Sequence, residues 1–154
     1  MSALLDRIDR LAARAPWWAW PAALLALGVA SLVTSLVFEP DPDGFTYVFG
    51  RRFGSGCAFL ELTGVPCPQC GMTRSFVWAA RGAFGVAWAH NPAGLALFLW
   101  LQAGGVVGLA RLVRRDPRAL SLPWQLLVGW CAFWGVGLYT VPWILRLLGV
   151  HPLP

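Results

Sequence analysis

Three long apolar runs constrain the fold of this chain more than any other feature of its sequence. They occupy residues 17–38, 92–113 and 123–148. Each run is long enough to cross a bilayer, because a transmembrane helix needs about 20 consecutive apolar residues. A content of 58% hydrophobic and only 12% charged residues is also too apolar for an ordinary soluble domain. The pattern therefore predicts an all-α membrane protein of one domain with three transmembrane helices.

The segments outside these runs have patterns of their own. Residues 1–15 place apolar and charged side chains at helical spacing, which predicts an amphipathic helix on the cytoplasmic membrane surface. Residues 39–71 contain turn-forming glycines and prolines and are predicted to form an outward loop. Residues 72–90 repeat apolar side chains every three or four positions, which predicts an interfacial helix broken near Gly82 or Gly85.

Arginine placement predicts the orientation of the chain. Seven of the twelve arginines lie before the first run or around a cytoplasmic loop at residues 114–122, and five lie elsewhere. Because cytoplasmic segments carry an excess of arginine, the N-terminus is predicted to be cytoplasmic and residues 39–71 to face outward. The chain has no lysine, so its positive charge comes from arginine, and its net charge is +5. The arginines flank the apolar runs instead of forming a continuous stripe. Nucleic acid is therefore not expected as a partner.

A cysteine pair marks the candidate site in the outward loop. The motif Cys67-x-x-Cys70 follows Cys57 by ten residues. In one interpretation the pair is a zinc knuckle, with Cys57 as third ligand and His90 or a second copy of the chain as the fourth. In another, a disulfide among these cysteines fastens the loop onto the membrane surface, although three outward cysteines leave one unpaired.

The third interpretation of the same cysteines is redox chemistry. If Cys67 caps the interfacial helix, Cys70 lies in its first turn, where the helix dipole and Arg74 favour a thiolate. The arrangement resembles quinone-coupled disulfide-forming membrane enzymes, which also carry an outward CxxC followed by an arginine. That resemblance implies Cys67, Cys70 and Arg74 as catalytic residues and a quinone as cofactor. Those enzymes have four helices and a second cysteine pair, whereas this chain has one further outward cysteine, Cys57.

Other polar residues have more local interpretations. Arg74 and Arg81 are seven positions apart, so one helix face can present both to an anionic lipid or headgroup. The alternative is that both side chains extend to the membrane interface without binding anything specific. Asn91 precedes Pro92 and is predicted to cap the helix of the second run. Gln102, inside that run, is expected to hydrogen-bond another helix.

The whole motif resembles a known family. Thr63-Gly64 stands before Cys67-Pro68-Gln69-Cys70-Gly71-Met72-Thr73-Arg74, and an Asn-Pro pair follows at the start of the second apolar run. Residues 56–94 thereby resemble the bacterial membrane-protein family known as domain of unknown function 2752. The resemblance implies a small protein of the bacterial inner membrane and implies no activity. The family pattern often has an acidic residue where this chain has Ala83.

No hydrolytic or phosphate-binding motif accompanies the cysteines. The favoured function is a non-enzymatic accessory or assembly subunit of a membrane complex, with the cysteines as a structural metal or disulfide site. Its expected partners are the lipid bilayer and other membrane subunits or copies of itself, since glycines in the third run allow helices to approach closely. The alternatives are a quinone-linked thiol–disulfide oxidoreductase and anionic lipid binding through Arg74 and Arg81.

Overall fold

The computed structural model of the chain describes residues 16–40, 46–53, 58–64, 67–115 and 133–148, and these residues are mostly helical. In chain order the elements are α1 (Ala19–Val37), β1 (Glu39–Pro40), β2 (Thr46–Val48), β3 (Arg51–Phe53), α2 (Ala58–Thr63), α3 (Met72–Ala80), α4 (Phe84–His90), α5 (Pro92–Arg114), a π-helix (Phe133–Thr140) and α6 (Val141–Leu147).

Helices α1 and α5 are the two that are long and apolar enough, among the described residues, to cross a membrane. They correspond to the first two predicted spans. Much of their apolar surface is exposed: Val33 of α1 and Val106 of α5 are 53% and 67% accessible. The core helix of a soluble protein buries its apolar stripe, so outward apolar faces on both helices are what a lipid-facing pair shows.

Glycines let α1 and α5 pack closely and in opposite directions. A methyl group placed on Gly28 would lie 3.0 Å from the Cα atom of Gly105, and one on Gly108 would lie 3.0 Å from the backbone nitrogen of Leu25. Small residues of this kind are typical of helix contacts in membranes. Gln102 of α5 donates to the carbonyl of Gly28 at 3.3 Å, which confirms the expected bond to another helix.

The segment predicted as an outward loop contains more regular structure than expected. Strands β1, β2 and β3 form an antiparallel sheet in that order. A tight turn joins β2 to β3 through Phe49 and Gly50, whose φ values are 51° and 72°. Two consecutive positive φ values are typical of a type I′ hairpin turn. The short helix α2 follows, with residues 41–45 and 54–57 outside the described residues.

The predicted interfacial helix is two helices. It ends at Ala80 and resumes at Phe84, with Gly82 between them at a φ of 78°. The break predicted near Gly82 or Gly85 is therefore confirmed at the first of these. Helices α3, α4 and α5 pack on a small apolar core in which the rings of Phe76 and Phe98 meet edge to face, 5.5 Å between centroids.

The third predicted span is only partly within the described residues. Residues 133–147 are helical, first as a π-helix and then as α6. Residues 116–132, which include the start of that span, lie outside the description, as does the predicted amphipathic helix at residues 1–15. The third transmembrane helix therefore stays a prediction.

Candidate functional site

The CxxC motif forms two overlapping tight turns ahead of α3. The amide of Cys70 donates to the carbonyl of Cys67 at 3.0 Å, with Pro68 in the second position, where its fixed φ is favourable. The amide of Met72 donates to the carbonyl of Gln69 at 3.0 Å. Gly71 occupies the third position of this second turn, and its φ of 82° and ψ of −1° are those of a type II turn. The motif is thus a defined turn in front of α3.

Gly71 is fixed in this turn by two constraints. Its positive φ favours glycine, because a side chain in this region meets its own backbone. A methyl group on Gly71 would also lie 2.6 Å from the carbonyl oxygen of His90, which is closer than real Cβ atoms come. The turn therefore rests directly on the end of α4.

Asn91 holds the cysteine turn against the start of α5. Its Oδ1 accepts from the amide of Gly94 at 2.9 Å, which confirms the predicted N-cap. Its Nδ2 donates to the carbonyls of Pro68 at 3.3 Å and Cys70 at 3.1 Å. The side chain is only 3% exposed. One buried amide thus satisfies both the helix terminus and two carbonyls of the turn.

A second buried contact fastens α3 to the same place. The hydroxyl of Ser75, which is fully buried, donates to the carbonyl of Asn91 at 2.9 Å. A methyl group on Gly94 would lie 2.9 Å from Cβ of Ser75, so the two backbones approach as closely as a glycine permits. Sequence reasoning missed Ser75, and its only signal was a small polar residue one turn beyond the motif. Gly71, Ser75, Asn91 and Gly94 together hold the cysteine turn against the helices.

The sulfurs of Cys67 and Cys70 lie 3.3 Å apart, and both side chains are half-buried. This distance exceeds the about 2.05 Å of a disulfide bond. It lies just below the about 3.5–4 Å expected for two thiolates on one tetrahedral zinc ion with 2.3 Å bonds. The positive φ of Gly71 is the backbone conformation that a knuckle turn predicts.

The redox geometry expected from sequence is wrong in one respect. Helix α3 begins at Met72, so Cys67 does not cap it and Cys70 is not in its first turn. The physical reason is Gly71, because an α-helix cannot include a residue at a φ of 82°. Cys70 and Arg74 are therefore not neighbours on a helix face, and a dipole effect on Cys70 from within the first turn does not apply.

The structure brings together some of the predicted metal ligands. Cys67 and Cys70 are adjacent, and the backbone of His90 contacts Gly71. Cys57 lies outside the described residues. Within the described ranges, no group of three His, Cys, Asp or Glu side chains forms a metal-binding cluster. The four-ligand zinc site therefore stays a prediction that depends on Cys57.

The two predicted anion-binding arginines are in different environments. The guanidinium of Arg81 donates to the carbonyls of Ser35 at 3.1 Å and Phe38 at 2.7 Å, at the end of α1. It also donates to Leu36 and, within α3, to Val77. Arg81 thus joins the C-terminus of α1 to α3, where a cation is favourable.

Arg74 has no comparable contacts. Its side chain is half-buried, and no hydrogen bond or ion pair to it occurs within the part of the chain that is described. The guanidinium of Arg74 thus has no hydrogen-bond partner within the described residues, whereas the guanidinium of Arg81 donates to four backbone carbonyls, which carry no formal charge.

Comparison with known proteins gives one result. The chain matches no curated protein and no solved structure. Residues 57–104 match a family profile, and this segment contains the cysteine turn, α3, α4 and the first half of α5. The family resemblance expected from the motif is therefore confirmed over this segment: residues 57–104 are similar to the family described as "Protein of unknown function (DUF2752)".

Proposed function

We propose that the chain is an integral protein of the bacterial inner membrane, with α1, α5 and the third apolar run as its spans. The exposed apolar faces of α1 and α5 support this placement. Trp17, Trp18 and Trp20 at the start of α1 are exposed, as expected for an aromatic belt at the membrane interface. Arginine distribution favours a cytoplasmic N-terminus, and the cysteine turn then faces outward.

Within this placement, we propose an accessory or assembly subunit whose cysteine turn is a structural site. The observation that carries the proposal is the pair of hydrogen bonds that Asn91 Nδ2 donates to the carbonyls of Pro68 and Cys70. A turn fixed to a helix start by a buried side chain keeps its two sulfurs in one geometry. Such a site suits a zinc ion, with Cys57 as further ligand and His90 or a second copy completing the set, or a permanent disulfide.

Metal analysis and thiol counting on the purified full-length chain test this function together. We expect either about one zinc ion per site, as a closed structural site requires, or a stable disulfide that includes Cys67 or Cys70. Cys67→Ser and Cys70→Ser should each abolish the metal, and at least one of them should abolish the disulfide. Cys131→Ser, in the third apolar run, is the matched control and should change neither. A chain with no metal and with both thiols reduced under oxidising conditions would contradict a structural site.

A second function is favoured by the distance between the sulfurs. At 3.3 Å they need only a small rotation to reach the about 2.05 Å of a disulfide. A thiol–disulfide oxidoreductase would form this bond from the two thiols and release two electrons and two protons, which a membrane quinone would accept to become a quinol. Arg74 is the charged residue available to this reaction.

Trapping of thiols in living cells separates the two functions. A redox enzyme should show Cys67 and Cys70 in both oxidised and reduced forms, in a ratio that changes when quinone supply is blocked. A structural site should show a single form that does not respond to the quinone pool.

A further inference from the structure

A groove runs along α1 on the side that faces α3. It has a volume of about 450 Å³, within the range of small-molecule sites, and is partly open to the surroundings. Its wall on α1 repeats at helical spacing, and Met72, Thr73, Phe76, Val77 and Leu101 close the other sides. The α1 residues are Leu27, Ala30, Ser31, Thr34, Ser35 and Phe38. We call this space the α1 groove.

The α1 groove is apolar in effect although it contains hydroxyl groups. The hydroxyl of Ser31 donates to the carbonyl of Gly28, and the hydroxyl of Ser35 donates to the carbonyl of Ser31. Gln102 also donates to the oxygen of Ser31 at 2.9 Å. Thr34 and Thr73 also line the groove, and their hydroxyls make no side-chain hydrogen bond within the described residues. Because the serine hydroxyls are engaged and seven of the eleven lining residues are apolar, the groove suits a hydrocarbon ligand better than a polar one.

The length of the α1 groove matches one membrane leaflet. Leu27 and Phe38 are eleven residues apart, which is about 16 Å at the rise of an α-helix. Half of the hydrocarbon core of a bilayer is about 15 Å. The groove begins where α1 ends and reaches Leu101, in the middle of α5. It therefore extends from one membrane surface to the centre of the bilayer.

A positive charge lies at the surface end of the groove. Arg81 donates to the carbonyls of Ser35, Phe38 and Val77, which all line the groove. These acceptors are neutral peptide groups, and no carboxylate pairs with Arg81 within the described ranges. The carbonyls at the C-terminus of α1 offset this charge only in part, and an anionic group at this end of the groove is favoured.

From this arrangement we propose that the α1 groove binds one acyl chain of an anionic phospholipid, with the phosphate of that lipid near Arg81. The proposal rests on the membrane placement proposed above, and it does not depend on the chemistry of the cysteine turn. The ligand is a phospholipid rather than a headgroup alone, because the groove is an apolar slot for a hydrocarbon chain and Arg81 places a cation at its surface end.

Photolabelling in vesicles tests the proposal. The full-length chain is reconstituted in phosphatidylcholine vesicles that contain phosphatidylglycerol with a photoactivatable group at the end of one acyl chain. We expect the label to be concentrated at the end of the groove near the bilayer centre, around Leu27 and Leu101. We expect less label when the same photoactivatable chain is carried by phosphatidylcholine. Label spread evenly around α1 would overturn the groove and leave the membrane placement intact. No label on either α1 or α5 would instead contradict the membrane placement.

Matched variants make the test specific. Thr34→Trp fills the middle of the groove and should lower groove labelling at least about tenfold, whereas Val29→Trp, on another exposed side of α1, should not. Ala30→Phe fills the same space and keeps the test decisive if Thr34→Trp does not fold. Unchanged labelling in a folded filling variant would overturn the proposal.

The charge and the identity of the ligand are tested separately. Arg81→Gln should abolish the preference for phosphatidylglycerol over phosphatidylcholine, and Arg81→Lys should keep it. Arg114→Gln, at the far end of α5, is the control that should leave the preference unchanged. Displacement of the label by an isoprenoid quinone as effectively as by unlabelled phosphatidylglycerol would show that the occupant is not a phospholipid.

Discussion

The cysteine turn and the α1–α5 pair are held by different kinds of contact. At the turn, buried polar groups make directed hydrogen bonds: Asn91 reaches two carbonyls of the turn, and Ser75 reaches the backbone of Asn91. Along the helix pair, glycines bring backbones together and most apolar side chains face outward. The contrast teaches that hydrogen bonds fix the geometry where this chain leaves its apolar spans, while close packing joins the spans themselves.

The largest effect expected from breaking the turn is at Gly71. Gly71→Ala introduces a side chain at a φ of 82° and 2.6 Å from the carbonyl of His90. The backbone strain alone is about 1–2 kcal/mol, and the clash adds to it, so we expect a loss of about 3 kcal/mol or more in unfolding free energy. Denaturant titration of the detergent-solubilised chain measures this loss. Gly82→Ala, which has a positive φ without any contact within 4 Å, is the control and should lose only the strain.

The next effect separates the two roles of Asn91. Asn91→Ala removes the N-cap and leaves the carbonyls of Pro68 and Cys70 without their donor, for an expected loss of about 2–4 kcal/mol. Asn91→Asp keeps the capping oxygen and lacks the Nδ2 donor, so it isolates the bonds to the turn.

Maleimide labelling of Cys67 and Cys70 is the direct readout for these Asn91 variants. We expect faster labelling in both variants, because the turn is released in each. Labelling at the wild-type rate in a folded Asn91→Asp chain would mean that the amide does not hold the turn.

The close packing of the helix pair predicts a smaller effect. Gly28→Ala places a methyl group 3.0 Å from Gly105 and from the carbonyl of Leu101, which forces the helices apart by a few tenths of an ångström. We expect a loss of about 1–3 kcal/mol, typical of overpacking. Gly104→Ala meets only Leu24 at 3.7 Å and should be neutral or slightly stabilising. Equal thermal unfolding of the two variants would contradict close packing at Gly28.

The smallest effect distinguishes the two arginines. Arg81→Gln removes a cation from the C-terminus of α1 and should lower stability by about 0.3–1 kcal/mol. Arg74→Gln should leave stability unchanged, since no hydrogen bond or ion pair to Arg74 occurs within the described residues. Parallel denaturant titrations measure both. A greater loss in Arg74→Gln than in Arg81→Gln would reverse this assignment.

Several features of the site were predictable because their cause is local. Asn91 followed by Pro92 predicts a helix start, and the isolated polar Gln102 in an apolar run predicts that it bonds another helix, although not which residue accepts that bond. Helix α3 begins at Met72, where the interfacial helix is predicted to begin, but the turn ahead of it was less predictable. Gly71 is compatible with a helix or a turn by its residue type alone, and the contact with His90 fixes the turn.

The sequence by itself determined the apolar runs, a helix break near Gly82 or Gly85, the helix cap at Asn91 and the family motif, because each depends on residues close together in the chain. Only the tertiary structure decided that Asn91 holds the cysteine turn, that Ser75 bonds the backbone of Asn91 and that Arg81 binds carbonyls at the C-terminus of α1. These contacts join residues 16 to 46 positions apart, with Ser75 and Asn91 the nearest pair and Arg81 and Ser35 the most distant. No periodicity along the chain records such contacts, because they arise only when the helices pack.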